Sequence, residues 1–88
     1  MYVKVNRVDN IIWKIIDDEI ILLNPQTGAY FGLNAVSSDF WKYLEITDSL
    51  KDILHHLETL YDVPKEELIS DINDLINKLL QRNVIEVE

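Results

Sequence analysis

The stretch IILLNPQTGAYFGLN, residues 20–34, decides the fold of this chain because it contains two short apolar runs separated by turn residues. The runs cover residues 20–23 and 29–33. Pro25 sets φ for the first central position of a turn, and Gly28 can adopt the positive φ that the closing position often needs. Two strand-like runs joined by five residues that include a glycine predict a β-hairpin.

Upstream of this hairpin, residues 11–16 (IIWKII) have the β-branched and aromatic composition of another strand. Residues 17–19 (DDE) interrupt that strand, and because residues 20–23 follow at once, a tight turn is predicted between the two. Together the three runs predict a three-stranded antiparallel meander. Residues 1–10 alternate only weakly, which leaves them open between a short edge strand and an ordered arm.

Downstream of residue 34 the spacing of apolar residues changes from two to about 3.6, which indicates helices. Asn34 can cap a helix that begins at Ala35. The apolar face of this helix is predicted to comprise Val36, Phe40, Tyr43 and Leu44, flanked by Trp41. Ser49 begins a second helix, with Asp52 three residues later in the capping-box arrangement.

A third helix is predicted from about Pro64, at its first helical position, to Arg82, and Asn83 can act as its stop. Its apolar positions cover about 140° of arc, which is more than one contact surface usually needs. These positions are Leu68, Ile69, Ile72, Leu75, Ile76, Leu79 and Leu80. Residues 84–88 alternate and can add a short terminal strand. Three strands followed by three helices predict an α+β, winged-helix-turn-helix-like fold in one domain spanning residues 1–88.

The composition limits the function classes. The chain has 88 residues, a formal net charge of −8 and no cysteine. Disulfides and thiolate metal sites are therefore excluded, which suits a reducing cytoplasm. The acidic charge disfavours nucleic acid as a partner, because phosphate backbones would be repelled. The apolar runs are far too short for a membrane span, so no membrane partner is expected.

Catalytic and metal-binding patterns are missing from the sequence. Its serines lack the context of an activated nucleophile, and there is no glycine-rich loop for phosphate. His55 and His56 are adjacent, so a helix would point them about 100° apart, and they cannot hold one metal ion together. No enzyme activity, metal or other cofactor is predicted.

Several segments carry a resemblance that extends over most of the chain. They include LNPQTGAYFGLN (residues 23–34), FWKYL (40–44), SLKDI (49–53) and YDV (61–63). The pattern is completed by Asp71-Ile72, Leu75-Ile76, Leu79-Leu80 and Val84-Ile85. The chain thus resembles the PqqD-like family, the small RiPP recognition elements of pathways that make ribosomally synthesised, post-translationally modified peptides. Asn83 departs from the glycine common in that family, but asparagine is the usual substitute at a left-handed helix stop.

The resemblance implies a domain that binds the leader segment of a precursor peptide and performs no chemistry itself. The leader would add as an antiparallel strand to the third strand, in the groove beside the third helix. A separate modifying enzyme, such as a protease, a cyclase or a radical-SAM enzyme, would then act on the precursor. Lasso-peptide biosynthesis is the first pathway suggested, followed by radical-SAM systems and the quinone-cofactor route.

The unpaired strand edge and the surplus apolar arc fit this reading, because an unpaired edge templates an added strand and glycine allows another backbone to approach closely. The predicted peptide-binding residues are Ala29, Tyr30, Phe31, Gly32, Leu33, Asp71, Ile72, Leu75, Ile76 and Leu79. The net charge further suggests a leader that contains lysine or arginine.

Other interpretations stay open from the residues alone. Alternation requires that at least one face of the strand be core, so Tyr30, Phe31 and Leu33 equally suit packing. A winged-helix DNA-binding protein has the same coarse order of elements, although Glu66 and Glu67 make the start of the third helix acidic. A purely structural subunit is the third possibility.

Overall fold

The strands of this chain form two antiparallel sheets. A computed structural model describes residues 2–88. In chain order the elements are β1 (Val5–Arg7), β2 (Ile12–Ile16), β3 (Glu19–Leu23), β4 (Tyr30–Leu33), α1 (Ala35–Tyr43), α2 (Leu50–Leu60), α3 (Lys65–Gln81) and β5 (Ile85–Val87). The larger sheet has the order β2-β3-β4. The predicted three-stranded meander followed by three helices is therefore confirmed.

The turn between β2 and β3 contains two residues, as Ile16 pairs with Glu19. Asp17 and Asp18 both have positive φ, at 51° and 67°. This backbone matches the right-handed twist of paired strands, and aspartate is among the residues that tolerate it. The tight turn predicted at the acidic run is confirmed.

The hairpin between β3 and β4 is built around Asn24. Its backbone N–H donates to the Ala29 carbonyl at 2.9 Å, and its carbonyl accepts from the Gly28 N–H at 2.8 Å. The Asn24 side chain accepts from the Gln26 N–H at 3.0 Å. Gly28 has φ +72°, as expected for the closing position of the turn. The pairing continues to Leu33, so the hairpin is confirmed.

The two ends of the chain meet in the smaller sheet. Strands β1 and β5 pair antiparallel, with Val5 opposite Val87. The arm before β1 also contacts the start of α2, where the Leu50 N–H donates to the Val3 carbonyl at 3.0 Å. Residues 5–7 therefore form a strand, and the predicted terminal strand finds its partner there.

The helix ends follow the predicted signals closely. Asn34 and Ser49 cap α1 and α2, each accepting a hydrogen bond from the backbone N–H three residues later. Asn83 has φ +59° and ends α3. Pro64 lies one residue outside its predicted position, at the N-cap of α3, because its ψ of 140° is extended. No side chain caps that helix start.

The core lies between the larger sheet and the helices, and its members are almost all aliphatic. It consists of Val5, Ile20, Leu22, Leu33, Phe40, Trp41, Leu50, Ile53, Leu57, Leu68, Ile72, Ile76, Leu79, Val84 and Ile85. Trp41 is completely buried rather than on the flank of α1, because residues distant in sequence, including Arg7, pack against it, which helical spacing does not show. None of the helices in residues 2–88 combines the length and hydrophobicity needed to cross a membrane.

Arg7 clamps part of this core. Its guanidinium lies 4.6 Å from the centre of the Trp41 ring and 5.1 Å from that of Trp13 on β2. It donates to the Trp41 carbonyl and to the Glu45 carboxylate. The guanidinium is thus held by two rings and two acceptors, which anchors β2 to the helical layer.

Candidate functional site

Strand β4 has a free edge, because the larger sheet ends with it. Two contacts show which of its backbone groups turn toward β3. At the hairpin, the Asn24 N–H reaches the Ala29 carbonyl. At the other end, the buried Ser38 hydroxyl accepts from the Ile20 N–H and donates to the Leu33 carbonyl, each at 3.1 Å. The Ser38 hydroxyl thereby replaces a direct hydrogen bond between the Ile20 N–H and the Leu33 carbonyl, and it joins α1 to the sheet.

Backbone groups alternate along an antiparallel pair, so these contacts determine the pattern for the whole strand. Phe31 and Leu33 direct their N–H and C=O groups toward β3, as does the carbonyl of Ala29, whose N–H instead donates to the Thr27 hydroxyl at 3.3 Å. Tyr30 and Gly32 direct theirs outward, to the free edge. The edge therefore presents the donors and acceptors of Tyr30 and Gly32, the pattern that an added strand needs.

The side chains of β4 divide between the two faces of the sheet. Phe31 and Leu33 lie opposite core-facing residues of β3, on the helix side. Tyr30, which is 74% exposed, and Gly32 belong to the outer face. A Cβ added at Gly32 would lie 3.3 Å from the Cδ1 atom of Ile21, the flexible end of a side chain. Only a small adjustment of Ile21 would thus be needed to accommodate alanine at this position.

A groove of about 460 Å³ runs between β4, the start of α1 and the C-terminal half of α3. It is lined by Phe31, Gly32, Leu33, Asn34, Ser37, Leu75, Lys78, Leu79, Gln81 and Arg82. Just beyond Arg82 of the lining, the Asn83 carbonyl accepts a hydrogen bond from the side-chain amide of Asn24 at 3.5 Å. This contact ties the β3–β4 turn to the stop of α3.

The α3 wall of the groove changes from apolar at its base to cationic at its rim. Leu79 is buried, Leu75 is half-buried, and Lys78 and Arg82 are exposed. The Arg82 guanidinium lies over the Phe31 ring, 5.1 Å from its centre. No carboxylate lines this groove within residues 2–88. The wall can therefore hold an apolar side chain below and a negative group above.

The predicted site residues fall into three groups. Phe31, Gly32, Leu33, Leu75 and Leu79 line the groove. Ala29 and Tyr30 adjoin it along the same strand and turn. The third group lies apart from the lining and comprises Asp71, which is exposed on α3, and the completely buried Ile72 and Ile76.

The burial of Ile72 and Ile76 has a simple geometric cause. The wide apolar arc of α3 serves two surfaces, and these two residues belong to the half that packs into the core. They support the wall from behind and present no surface of their own. Contact between any of these residues and a peptide stays a prediction.

The sequence prediction did not include five of the lining residues, namely Asn34, Ser37, Lys78, Gln81 and Arg82. Asn34 was interpreted as a helix cap, and Lys78 and Arg82 as charges that favour a helix C-terminus. The available signal was their spacing, since Lys78 and Leu79 lie three and four residues after Leu75, and Arg82 lies four and three residues after them, so all four share a helical face.

Two other features of the structure bear on DNA binding and metal binding. The first turn of α3 carries Glu66 and Glu67, and its Lys65 lies 4.0 Å from Glu58 of α2. A recognition helix for DNA would need a basic start instead. Across residues 2–88 no cluster of three metal-ligating side chains occurs, and His56 is stacked on Tyr43 with ring centres 3.9 Å apart.

Comparisons with known proteins agree with this architecture. Residues 19–85 match the family described as coenzyme PQQ synthesis protein D (PqqD). The chain is similar to the solved structure of TbiB1 in complex with the TbiA(beta) leader peptide, at 33% identity and a TM-score of 0.86. That match covers 92% of this chain and 94% of the other.

A second solved structure, lasso peptide synthetase B1 complexed with the leader peptide, shares the fold at 22% identity and a TM-score of 0.82. It covers 94% of this chain and 98% of the other. Among curated protein sequences, none matches this chain at a significant level.

Proposed function

This chain belongs to the PqqD family, and on that premise we propose that it binds the leader segment of a ribosomally made precursor peptide. The leader adds as a strand to the free edge of β4 and lies in the groove beside α3. The observation that carries the proposal is the coincidence of this unpaired edge with a groove of about 460 Å³. A strand template and a side-chain pocket then act on the same ligand.

The backbone supplies most of the affinity. Tyr30 and Gly32 together offer two N–H and two C=O groups to an incoming strand, and each hydrogen bond contributes about 1 kcal/mol net. Such bonds are independent of the ligand sequence. The selectivity must therefore come from the groove, where Phe31, Leu75 and Leu79 receive side chains from alternate positions of the leader.

The chain delivers the bound precursor to a separate modifying enzyme and performs no chemistry of its own. The groove supports this role, since its lining holds no histidine, cysteine or carboxylate that could serve as a general base or a metal ligand within residues 2–88. A lasso-peptide pathway, with a protease and a cyclase as partners, is proposed first. Radical-SAM peptide modification and quinone-cofactor biosynthesis come next.

The DNA-binding alternative receives no support from the fold or from the relatives. The acidic start of α3 and the net charge of −8 both oppose it. Neither relative with a solved structure was captured on DNA; both are described in complex with a leader peptide.

Hydrogen exchange measured with a leader peptide tests the proposal directly. The TbiA(beta) leader is a suitable first probe, because its receptor is 33% identical to this chain. Binding should protect the amides of Tyr30 and Gly32, which are free in the unbound domain, and leave those of β2 unchanged. Binding that leaves β4 unprotected would refute strand addition, and a salt-sensitive complex with duplex DNA would refute the function.

A further inference from the structure

We propose that the groove selects an acidic side chain in the leader, held by Arg82 and Lys78. An apolar side chain two residues before it packs against Leu75. The inference rests on the proposed strand addition to β4 and names the class of peptide that fits. It assigns a specificity role to two cations that would otherwise only complement the dipole of α3.

The sign of the local charge is opposite to that of the chain. The whole chain carries −8, which by itself favours a basic partner. The charged residues that line the groove, however, are Lys78 and Arg82. A leader side chain in the groove lies nearest to these two cations, and charges beyond about 8 Å are largely screened at physiological salt. The local field therefore favours aspartate or glutamate.

Both cations are available to a ligand. The ion pairs within residues 2–88 are Arg7–Glu45 and Lys65–Glu58, so neither Lys78 nor Arg82 is committed to a carboxylate there. The guanidinium carbon of Arg82 lies over the Phe31 ring, 5.1 Å from its centre. A cation–π contact uses the charge of the guanidinium and not its N–H donors, so these donors can still bind a carboxylate in the bidentate manner.

The order of the two side chains follows from the direction of the elements. The Arg82 guanidinium contacts the Phe31 ring. Leu75 lies seven residues earlier in the chain than Arg82, which is about 10 Å along the axis of α3. Strand β4 covers about 10 Å in the three residues from Phe31 to Asn34. Leu75 and Asn34 both line the groove, so the strand and the helix run along it in opposite directions. The apolar wall is thus level with Leu33 and the cationic rim with Phe31.

An antiparallel strand meets Leu33 first and Phe31 second. Its residues opposite these two share the groove face and lie two positions apart. The first would pack against Leu75, and the second would reach Arg82. The expected leader pattern is apolar-x-acidic in the N-to-C direction, with the intervening side chain on the outer face. A strand added in parallel would show the reverse order.

Selection from a phage-displayed library of random peptides on the full 88-residue chain tests this pattern without assuming a leader. Selected peptides are then synthesised with acetylated and amidated ends, so that any carboxylate is a side chain. We expect enrichment of apolar-x-acidic sequences. Changing the acidic residue to its amide should weaken binding about tenfold, the effect of losing a hydrogen bond to a charged group.

A double-mutant cycle assigns the carboxylate to its partner. In Arg82→Gln and in Lys78→Gln the acid-to-amide change in the peptide should cost clearly less than tenfold, because one of the two partners is absent, and in the double variant it should cost at most about twofold. Lys14→Gln on β2 is the matched control and should retain the tenfold effect. Circular dichroism verifies that each variant is folded.

Two results would overturn the inference: selected peptides rich in lysine or arginine, or the same tenfold loss in both Arg82→Gln and Lys78→Gln. In either case protection of the Tyr30 and Gly32 amides by the selected peptides would leave the strand-addition proposal standing. Peptides that bind without protecting β4 would remove both proposals together.

Discussion

Two arginines of this chain make nearly the same contact at opposite edges of the larger sheet and serve different purposes. Arg7 lies 5.1 Å from the ring of Trp13 on β2, and Arg82 lies 5.1 Å from the ring of Phe31 on β4. Arg7 is enclosed by a second ring and bound to a carbonyl and a carboxylate. Arg82 is exposed at the rim of a groove. The contact with an aromatic ring therefore does not by itself distinguish a buried, structural arginine from an exposed one that is available to a ligand.

The two edge strands of the larger sheet, β2 and β4, also differ in their surroundings. Strand β2 exposes Ile12, Ile15 and Ile16 and carries Lys14, a charge that discourages pairing with another strand. Strand β4 has no charged residue and is flanked by the wall of α3. The edge of β4 is the proposed binding site because a helix lies beside it and supplies pockets, whereas the more apolar edge of β2 lacks such a wall.

The largest effect is expected inside the α3 wall, where two neighbouring residues should respond differently. Ile76→Ala removes a completely buried side chain and should lower the free energy of unfolding by about 2–5 kcal/mol. Leu75→Glu, at a half-buried position, should leave the fold intact and abolish measurable binding of the selected peptides. Urea denaturation and peptide titration separate the two outcomes. A folded Leu75→Glu variant with unchanged affinity would remove Leu75 from the site.

Proline substitutions compare the inward and outward positions of β4. Phe31→Pro removes an N–H that points to β3, and the carbonyl left unsatisfied costs about 1–3 kcal/mol in stability before the lost burial of the ring is counted. Gly32→Pro removes an outward N–H and should preserve the fold while weakening peptide binding about tenfold.

The matched control for these prolines is Ile15→Pro. Ile15 lies on β2 between residues that bond to β3, so its N–H points to the opposite free edge. This variant should fold and bind peptide normally, as judged by amide spectra and titration. Loss of peptide binding in Ile15→Pro would mean that the ligand pairs with β2 instead.

The two arginines should differ in their effects on stability. Arg7→Gln gives up the contacts with two rings and a charge-assisted hydrogen bond to the Trp41 carbonyl, which should cost about 1–2 kcal/mol. Arg82→Gln should change stability by at most about 0.5 kcal/mol, as is usual for exposed positions. Thermal or urea denaturation measures both. Equal destabilisation by the two substitutions would show that Arg82 is also a structural clamp.

The smallest effect concerns a contact that belongs to neither edge. Burial, followed by the hydrogen bond to Asp39, raises the pKa of Tyr61 from 10.0 to about 12. Because the raised pKa favours the neutral phenol in the folded state, the resulting stability is complete below pH 10 and is lost as the pH rises through about 12.

Tyr61→Phe should therefore remove the decline of stability in that pH range and leave peptide binding at neutral pH unchanged. The difference between the ultraviolet titrations of the two proteins should have its midpoint near pH 12. A midpoint near 10.0 would mean that the hydrogen bond between α1 and α2 does not form.

The elements that sequence could predict are those encoded by neighbouring residues. The β3–β4 hairpin follows from a proline and a glycine in a five-residue loop, and Gly28 has the positive φ that the loop requires. Asn34 and Ser49 cap the helices they precede, and Asn83 ends α3. Each depends on hydrogen bonds or backbone preferences within a few residues, so local sequence is sufficient.

Pairings between residues distant in sequence could not be predicted from the sequence. The weak alternation near Val5 could not indicate its partner, which is Val87 at the other end of the chain. Ser38 offered no sign that its hydroxyl would join Ile20 to Leu33. Such contacts connect residues that are distant in sequence, so no local sequence pattern indicates which residues will meet.

The sequence by itself determined the order of strands and helices, the ends of the helices and the presence of more apolar surface on α3 than a core needs. Only the tertiary structure decided how that surface is divided, with Ile76 in the core and Leu75 in the groove. It also brought Lys78 and Arg82 to the rim beside Phe31, which reverses the local charge of an acidic chain. Periodicity defines which residues share a helical face, but only the position of the neighbouring elements determines what that face meets.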